Sequence, residues 1–166
     1  MNQMAEGFLK SWKWEHQTTK RVLERLPEEK WDWAPHSRSM PLGKLATHLV
    51  EMEAWVSEAM ERESFLPRLG GEHPVVGRDA LLVQAEEVHA AAVRIIEEFS
   101  DEKMHRVVPL VINGREIMRG PVIHFLETVM KSHCIHHRGQ LTVYLRLLDL
   151  PVPSVYGPSA DETSPR

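Results

Sequence analysis

Over residues 121–148, apolar side chains return every third or fourth position, and His133-Cys134-Ile135-His136-His137-Arg138-Gly139-Gln140 lies inside that segment. The recurrence predicts one long amphipathic helix, entered through Gly120-Pro121, because a proline at the first helical position loses no needed hydrogen bond. At about 100° per residue, His133 and His137 stand about 40° apart, near enough to share a metal ion. Leu126, Val129, Met130, Gln140, Leu141, Tyr144 and Leu147 fall within about 80° of His133, so the pair is expected in the stripe turned toward the core. Imidazoles there need their nitrogens satisfied, by a shared cation or by a local hydrogen-bond network. Chance alone gives roughly 0.6 His-x-x-x-His pairs in a chain of this composition, so it is the position of this pair that carries weight.

The flanking residues sort by angle. His124 should face outward, roughly 180° from His133, and His136 is a boundary residue about 60° to the other side. Cys134, about 100° away, reads as packing first and as a ligand or reactive thiol second. Arg138 is expected to point sideways into a surface ion pair. Gln140 falls on the core face and could orient a ligand or bound water.

Elsewhere, Phe8, Trp12, His16, Thr19, Leu23 and Leu26 predict a first helix over about 2–26, stopped by Pro27. Residues 26–36 read as a connection, with Trp31 and Trp33 as a lid on the core. Ser39-Met40-Pro41 announces a second helix running to about residue 63. Its stripe of Leu45, His48, Met52, Trp55, Val56 and Ala59 places His48 toward the core, with Glu51, Glu53 and Glu58 at the margins or outside. Dense Pro and Gly mark a loop over 64–77. A third helix follows over about 78–99, lined by Leu81, Ala85, Val88, Ala92, Ile95 and Phe99; His89 borders it and reads as structural. The β-branched run with Asn113-Gly114 predicts a short extended excursion or hairpin within a crossover over 100–120, and Pro109 argues against a central strand. The prolines after Leu150 cannot continue a helix, so about 150–166 is expected as a non-helical tail that folds back or dangles.

Four such helices in 166 residues predict a single all-α domain over 1–166, a four-helix bundle with a long crossover between helices three and four. Twenty Lys and Arg against 24 Asp and Glu leave a net charge of -4 without a basic stripe, which argues against nucleic-acid binding. The N-terminus lacks a cationic region followed by an apolar run, and no segment approaches the ~20 apolar residues that span a bilayer, so a soluble, cytoplasmic protein is expected. The lone cysteine excludes an intramolecular disulfide. Bundle cores assemble metal sites from facing helices, and His48 with His133 and His137 would form a three-histidine site with positions left for water or substrate. His16 and Glu15 on helix one, and Glu51 on helix two, are candidate outer partners, His16 also as a fourth ligand.

Leu45-Ala46-Thr47-His48-Leu49, the His133 to Leu141 run and Pro153-Ser154-Val155-Tyr156-Gly157 together resemble the DinB/YfiT-like superfamily over nearly the whole chain. The resemblance implies an up-down-down-up four-helix bundle, commonly a homodimer. It implies His48, His133 and His137 as ligands to one divalent metal, with zinc or nickel the usual occupants. Members with assigned activity include thiol-dependent S-transferases and isomerases that use low-molecular-weight thiols.

Chemistry independent of that resemblance points the same way. Three histidines with an open position let a metal activate a small thiol toward an electrophile, and soft thiolates suit zinc or nickel. Hydrolysis by metal hydroxide is a variant, but Cys134 stands where His-Glu-x-x-His places its glutamate. A metal-stabilised, non-catalytic dimeric binding or stress-response module is the alternative from another class.

Overall fold

The computed structural model describes residues 3–61 and 76–163. Residues 64–75 of the loop expected over 64–77, the end of helix two beyond Glu61 and the side chains of Glu58 and Ala59 lie outside the described residues. Helix α1 spans Gln3–Leu23, α2 Leu42–Glu61 and α3 Arg78–Glu97. A short α4, Asp101–His105, precedes the hairpin β1 (Val107–Ile112) and β2 (Arg115–Pro121). The last long helical segment is α5 (Val122–Phe125), a π-helical stretch over Leu126–Ser132, and α6 (His133–Leu147). Among the described residues the chain is thus mostly helical, with one two-stranded antiparallel sheet. Among the described residues, no helix is long and apolar enough to cross a membrane.

Each of α1 and α2 packs against both α3 and α6. Lys13–Glu97 and Lys20–Glu86 pair the middle and the C-terminal part of α1 with the C-terminal end and the middle of α3, so these helices run antiparallel. Lys131 lies over the Phe8 ring, while Arg138 reaches Thr19 at 3.1 Å, so α1 and the last helical segment run in the same direction. Tyr144 donates to the Met40 carbonyl before α2, and Cys134 lies against the Leu49 carbonyl, which makes α2 and α6 antiparallel. The α1 stripe is buried as its spacing predicts, with Phe8, Trp12, His16, Thr19, Leu23 and Leu26 all inside.

The core stripe of α6 is rotated from its expected position. Its buried residues are Cys134, His137, Arg138, Leu141, Tyr144 and Leu145. They centre about 80° from His133, toward Cys134 and Arg138. This one rotation brings Arg138 inside at 1% exposure and leaves Leu147 57% exposed, correcting both expectations. It also sets His133 at the edge of the core, half-buried. The cause is that α6 must face α1 and α2 together, and Arg138 has partners on α1 that hold it inward.

The hairpin follows from Asn113-Gly114. Both residues have positive φ, 51° and 75°, the two-residue turn whose twist matches paired strands. Val108 and Leu110 face the core, and Pro109 is tolerated in a ribbon with no central strand. Trp31 covers one end of the core as a lid, its indole donating to the Val76 carbonyl at 2.9 Å. Trp33 meets Tyr144 edge-on, with ring centroids 5.6 Å apart.

The tail folds back. Tyr156 hydrogen-bonds Glu15 and Arg138 and stacks obliquely on Trp14 at 5.2 Å. Glu162 pairs with Arg25 and accepts from the Ser154 N–H, which fastens the segment to the end of α1.

Candidate metal centre

Two helices bring three imidazoles to one point. Helix α2 carries His48, and α6 starts at His133 and carries His137 one turn later. One ring nitrogen from each of the three lies within 4.8 Å of those of the other two. Ring centroids are 4.9 Å apart for His48 and His137, 5.5 Å for His48 and His133, and 4.5 Å for His133 and His137. Trp55, one of the buried residues of α2, forms a wall 5.9 Å from the His48 ring and 6.0 Å from His133. The π-helical stretch ends where His133 begins, a position at which such irregularities often accompany functional sites.

Proton accounting tests whether a cation fits. His137 Nδ1 lies 2.7 Å from Gln140 Oε1, an amide oxygen that can only accept, so Nδ1 carries the proton. His137 Nε2 therefore presents a lone pair to His133 Nε2, 2.7 Å away. That contact is filled by a proton on His133 Nε2 or, with both Nε2 lone pairs free, by a cation. Burial, first, and charge repulsion within the cluster hold both imidazoles below the usual histidine range, which favours the neutral form that can ligate a metal. The donor set therefore fits a borderline-soft divalent ion such as zinc or nickel. Gln140, expected to orient a ligand or water, bonds His137 and sets its tautomer.

The remaining candidates are placed as follows. His124 and His136 are exposed, though the His136 ring lies 5.0 Å from that of His137. Cys134 is buried and acts as packing. Glu51 is half-buried on α2. Glu15 serves Arg138 rather than the three histidines: Nη2 of Arg138 donates to its carboxylate at 2.6 Å, and Nη1 donates to its carbonyl at 3.0 Å. His16, expected near the same ligands, belongs to a second cluster with Glu53 and His89. Glu53, expected at a margin, is 5% exposed. Single-stripe reasoning missed it because α2 buries two faces, one against α6 and one against α3. The available signal was His16 in one apolar stripe with His89 at the edge of another.

The sequence profile described as the DinB family matches residues 1–166. The protein YrdA of Bacillus subtilis (strain 168) is 28% identical over 164 residues, covering 98% of this chain and 93% of its own length. A crystal structure of a DinB-like protein from Bacillus cereus ATCC 10987 superposes with a TM-score of 0.74 at 28% identity, covering 91% of this chain and 97% of that one. The DinB-like protein YjoA from Bacillus subtilis has the same fold at 18% identity, with a TM-score of 0.66 and coverage of 98% and 100%.

Proposed function

The chain belongs to the DinB family, and from that premise we propose that it is a metal-dependent enzyme whose His48, His133 and His137 hold one divalent ion, most simply zinc or nickel, for thiol-dependent S-transfer. The convergence of one ring nitrogen from each of the three histidines carries this reading, with the Nε2 atoms of His133 and His137 2.7 Å apart and His137 Nδ1 committed to Gln140. The bound ion would supply Lewis acidity, lowering the pKa of a small thiol so that it reacts as a nucleophile at neutral pH. The protein residues have separate tasks. Gln140 orients the His137 imidazole, and Trp55 gives the site an apolar wall that limits water. His133 and His48 are only half-buried, which leaves an approach for a small thiol and an electrophile.

The helix directions support the up-down-down-up arrangement: α1 and α6 share one direction, and α2 and α3 each oppose a neighbour. Val143 and Leu147, 56% and 57% exposed on one face of α6, support association with a second copy as a homodimer, to be read by sedimentation equilibrium.

Elemental analysis of untagged protein purified without chelator tests the site, with His133→Ala/His137→Ala as control. About one more equivalent of metal in the parent than in the variant is expected. Thiol titration of the cobalt(II)-loaded parent then tests the chemistry: a shifted visible spectrum is expected. A loaded protein blind to thiols is the non-catalytic module instead. Parent protein that fails to bind added zinc or nickel through these histidines overturns both readings.

A further inference from the structure

We propose that His16, Glu53 and His89 form a second divalent-cation site, separate from the three-histidine centre and built by α1, α2 and α3. One ligand atom from each residue lies within 4.8 Å of those of the other two. His16 Nδ1 is 3.1 Å from Glu53 Oε1, and His89 Nδ1 is 2.7 Å from Glu53 Oε2. The cluster is internal: His16 is 3% and Glu53 5% exposed, and the His89 side chain 13%. Two imidazoles and a carboxylate are a common zinc donor set.

Two further observations point to a ligand. His16 Nε2 is buried without a hydrogen-bond partner, and its near neighbour is another acceptor, Glu86 Oε2, 3.6 Å away. With Nδ1–H committed to Glu53, that nitrogen presents a lone pair toward a carboxylate, an arrangement that a positive charge relieves. The second is charge. Burial pushes the Glu53 carboxyl up, but hydrogen bonds from His16 and His89 outweigh it and hold the group below 4.5, so it is an anion in the core. Glu86 adds a second carboxylate, and its partner Lys20 lies on the exposed side, 2.6 Å from Oε1. A divalent ion there balances the buried Glu53 carboxylate, while Lys20 already pairs with Glu86.

The His16 and His89 rings are nearly parallel, at 15°, with centroids 3.7 Å apart. Parallel lone pairs do not converge, so an ion taken up by both residues turns the rings out of their stack. Occupancy is therefore readable in the ring resonances as well as in stoichiometry.

The test uses the full chain with His133→Ala/His137→Ala, which removes the first centre, and cobalt(II) alone as probe. The folded variant, verified by circular dichroism, is expected to bind about one equivalent of cobalt. Adding Glu53→Gln or His89→Gln should weaken that binding by about 100-fold or more and restore the metal-free ring resonances of His16. Glu53→Gln alone should keep the three-histidine ion, so failure of one centre is distinguishable from failure of the other. If Glu53→Gln does not fold, His89→Gln decides, because its side chain is the least buried of the three. A folded His133→Ala/His137→Ala protein that binds no cobalt, or binds it undiminished after these changes, overturns the proposal. Protons alone would then join the three side chains.

Discussion

Gln140 is the residue on which the orientation of His137 turns. Its amide oxygen holds Nδ1 at 2.7 Å, and removing it frees the ring to rotate or to protonate Nε2. Gln140→Leu is therefore expected to lower metal affinity by about 10- to 100-fold, while Gln140→Glu, which keeps an acceptor, restores most of it. Competition against a chromophoric chelator measures both; equal affinities in parent and Gln140→Leu would remove the tautomer role. Cys134, its sequence neighbour in the same run, is inert for a different reason. Burial pushes its thiol well above the ordinary 9.0, with Glu53 adding to the shift. The folded state thus keeps the proton more tightly than the unfolded chain does, and the associated stability is present below about pH 9 and lost as pH rises. Thiol reagents at pH 7.5 should label Cys134 only after denaturant is added; rapid labelling of native protein contradicts this. Cys134→Ala should flatten the alkaline fall in stability.

At the scale of elements, close approach between the 28–33 connection and α2 depends on Gly43. A Cβ there would stand 2.3 Å from Cδ1 of Trp31, far inside contact distance. The Trp31 ring is held by the Val76 carbonyl and cannot simply withdraw. Gly43→Ala should destabilise the fold by roughly 1–3 kcal/mol despite the better helix propensity of alanine. Adding Trp31→Leu should recover part of the loss, and urea denaturation of the four-member cycle measures the coupling. The sequence carried enough to place α1, α2, α3 and the Asn113-Gly114 hairpin, because long apolar stripes and a turn with two positive φ values are local signals. It did not reveal α4, which is one turn long, or the π-helical Leu126–Ser132 stretch, since a regular 3.6-residue period was assumed through it. His48, His133 and His137 were legible as a group because i, i+4 spacing on α6 and the stripe on α2 both survive these errors. The His16–Glu53–His89 cluster was not, because it needs the relative rotation of three helices.

For the whole molecule, the buried Arg138–Glu15–Tyr156 network joins first helix, last helix and tail. Arg138 spends its donors on the Glu15 carboxylate and carbonyl, Thr19 Oγ1 and the Tyr156 hydroxyl, all at 2.6–3.1 Å. The pair is buried, so its desolvation offsets much of its attraction, and its net stabilisation is smaller than its geometry suggests. Breaking it is another matter, because a lone Glu15 carboxylate would remain 7% exposed without its cation. Arg138→Met should therefore cost about 3–5 kcal/mol. Arg138→Met/Glu15→Leu, which removes both charges, should regain much of that loss, whereas Tyr156→Phe should cost only about 1 kcal/mol. Denaturant unfolding ranks the three. If the double variant is no more stable than Arg138→Met, the orphaned carboxylate is not the cause, and the loss lies in packing of the arginine stem between α1 and α6. The same series bears on the metal centre, since Arg138 follows His137 directly and its anchoring to α1 sets the rotation of α6. A variant that stays folded but loses metal affinity in step with the Arg138–Glu15 contact would tie the position of the histidines to that buried pair. Unchanged affinity would assign the rotation to Cys134, Leu141 and Leu145 alone.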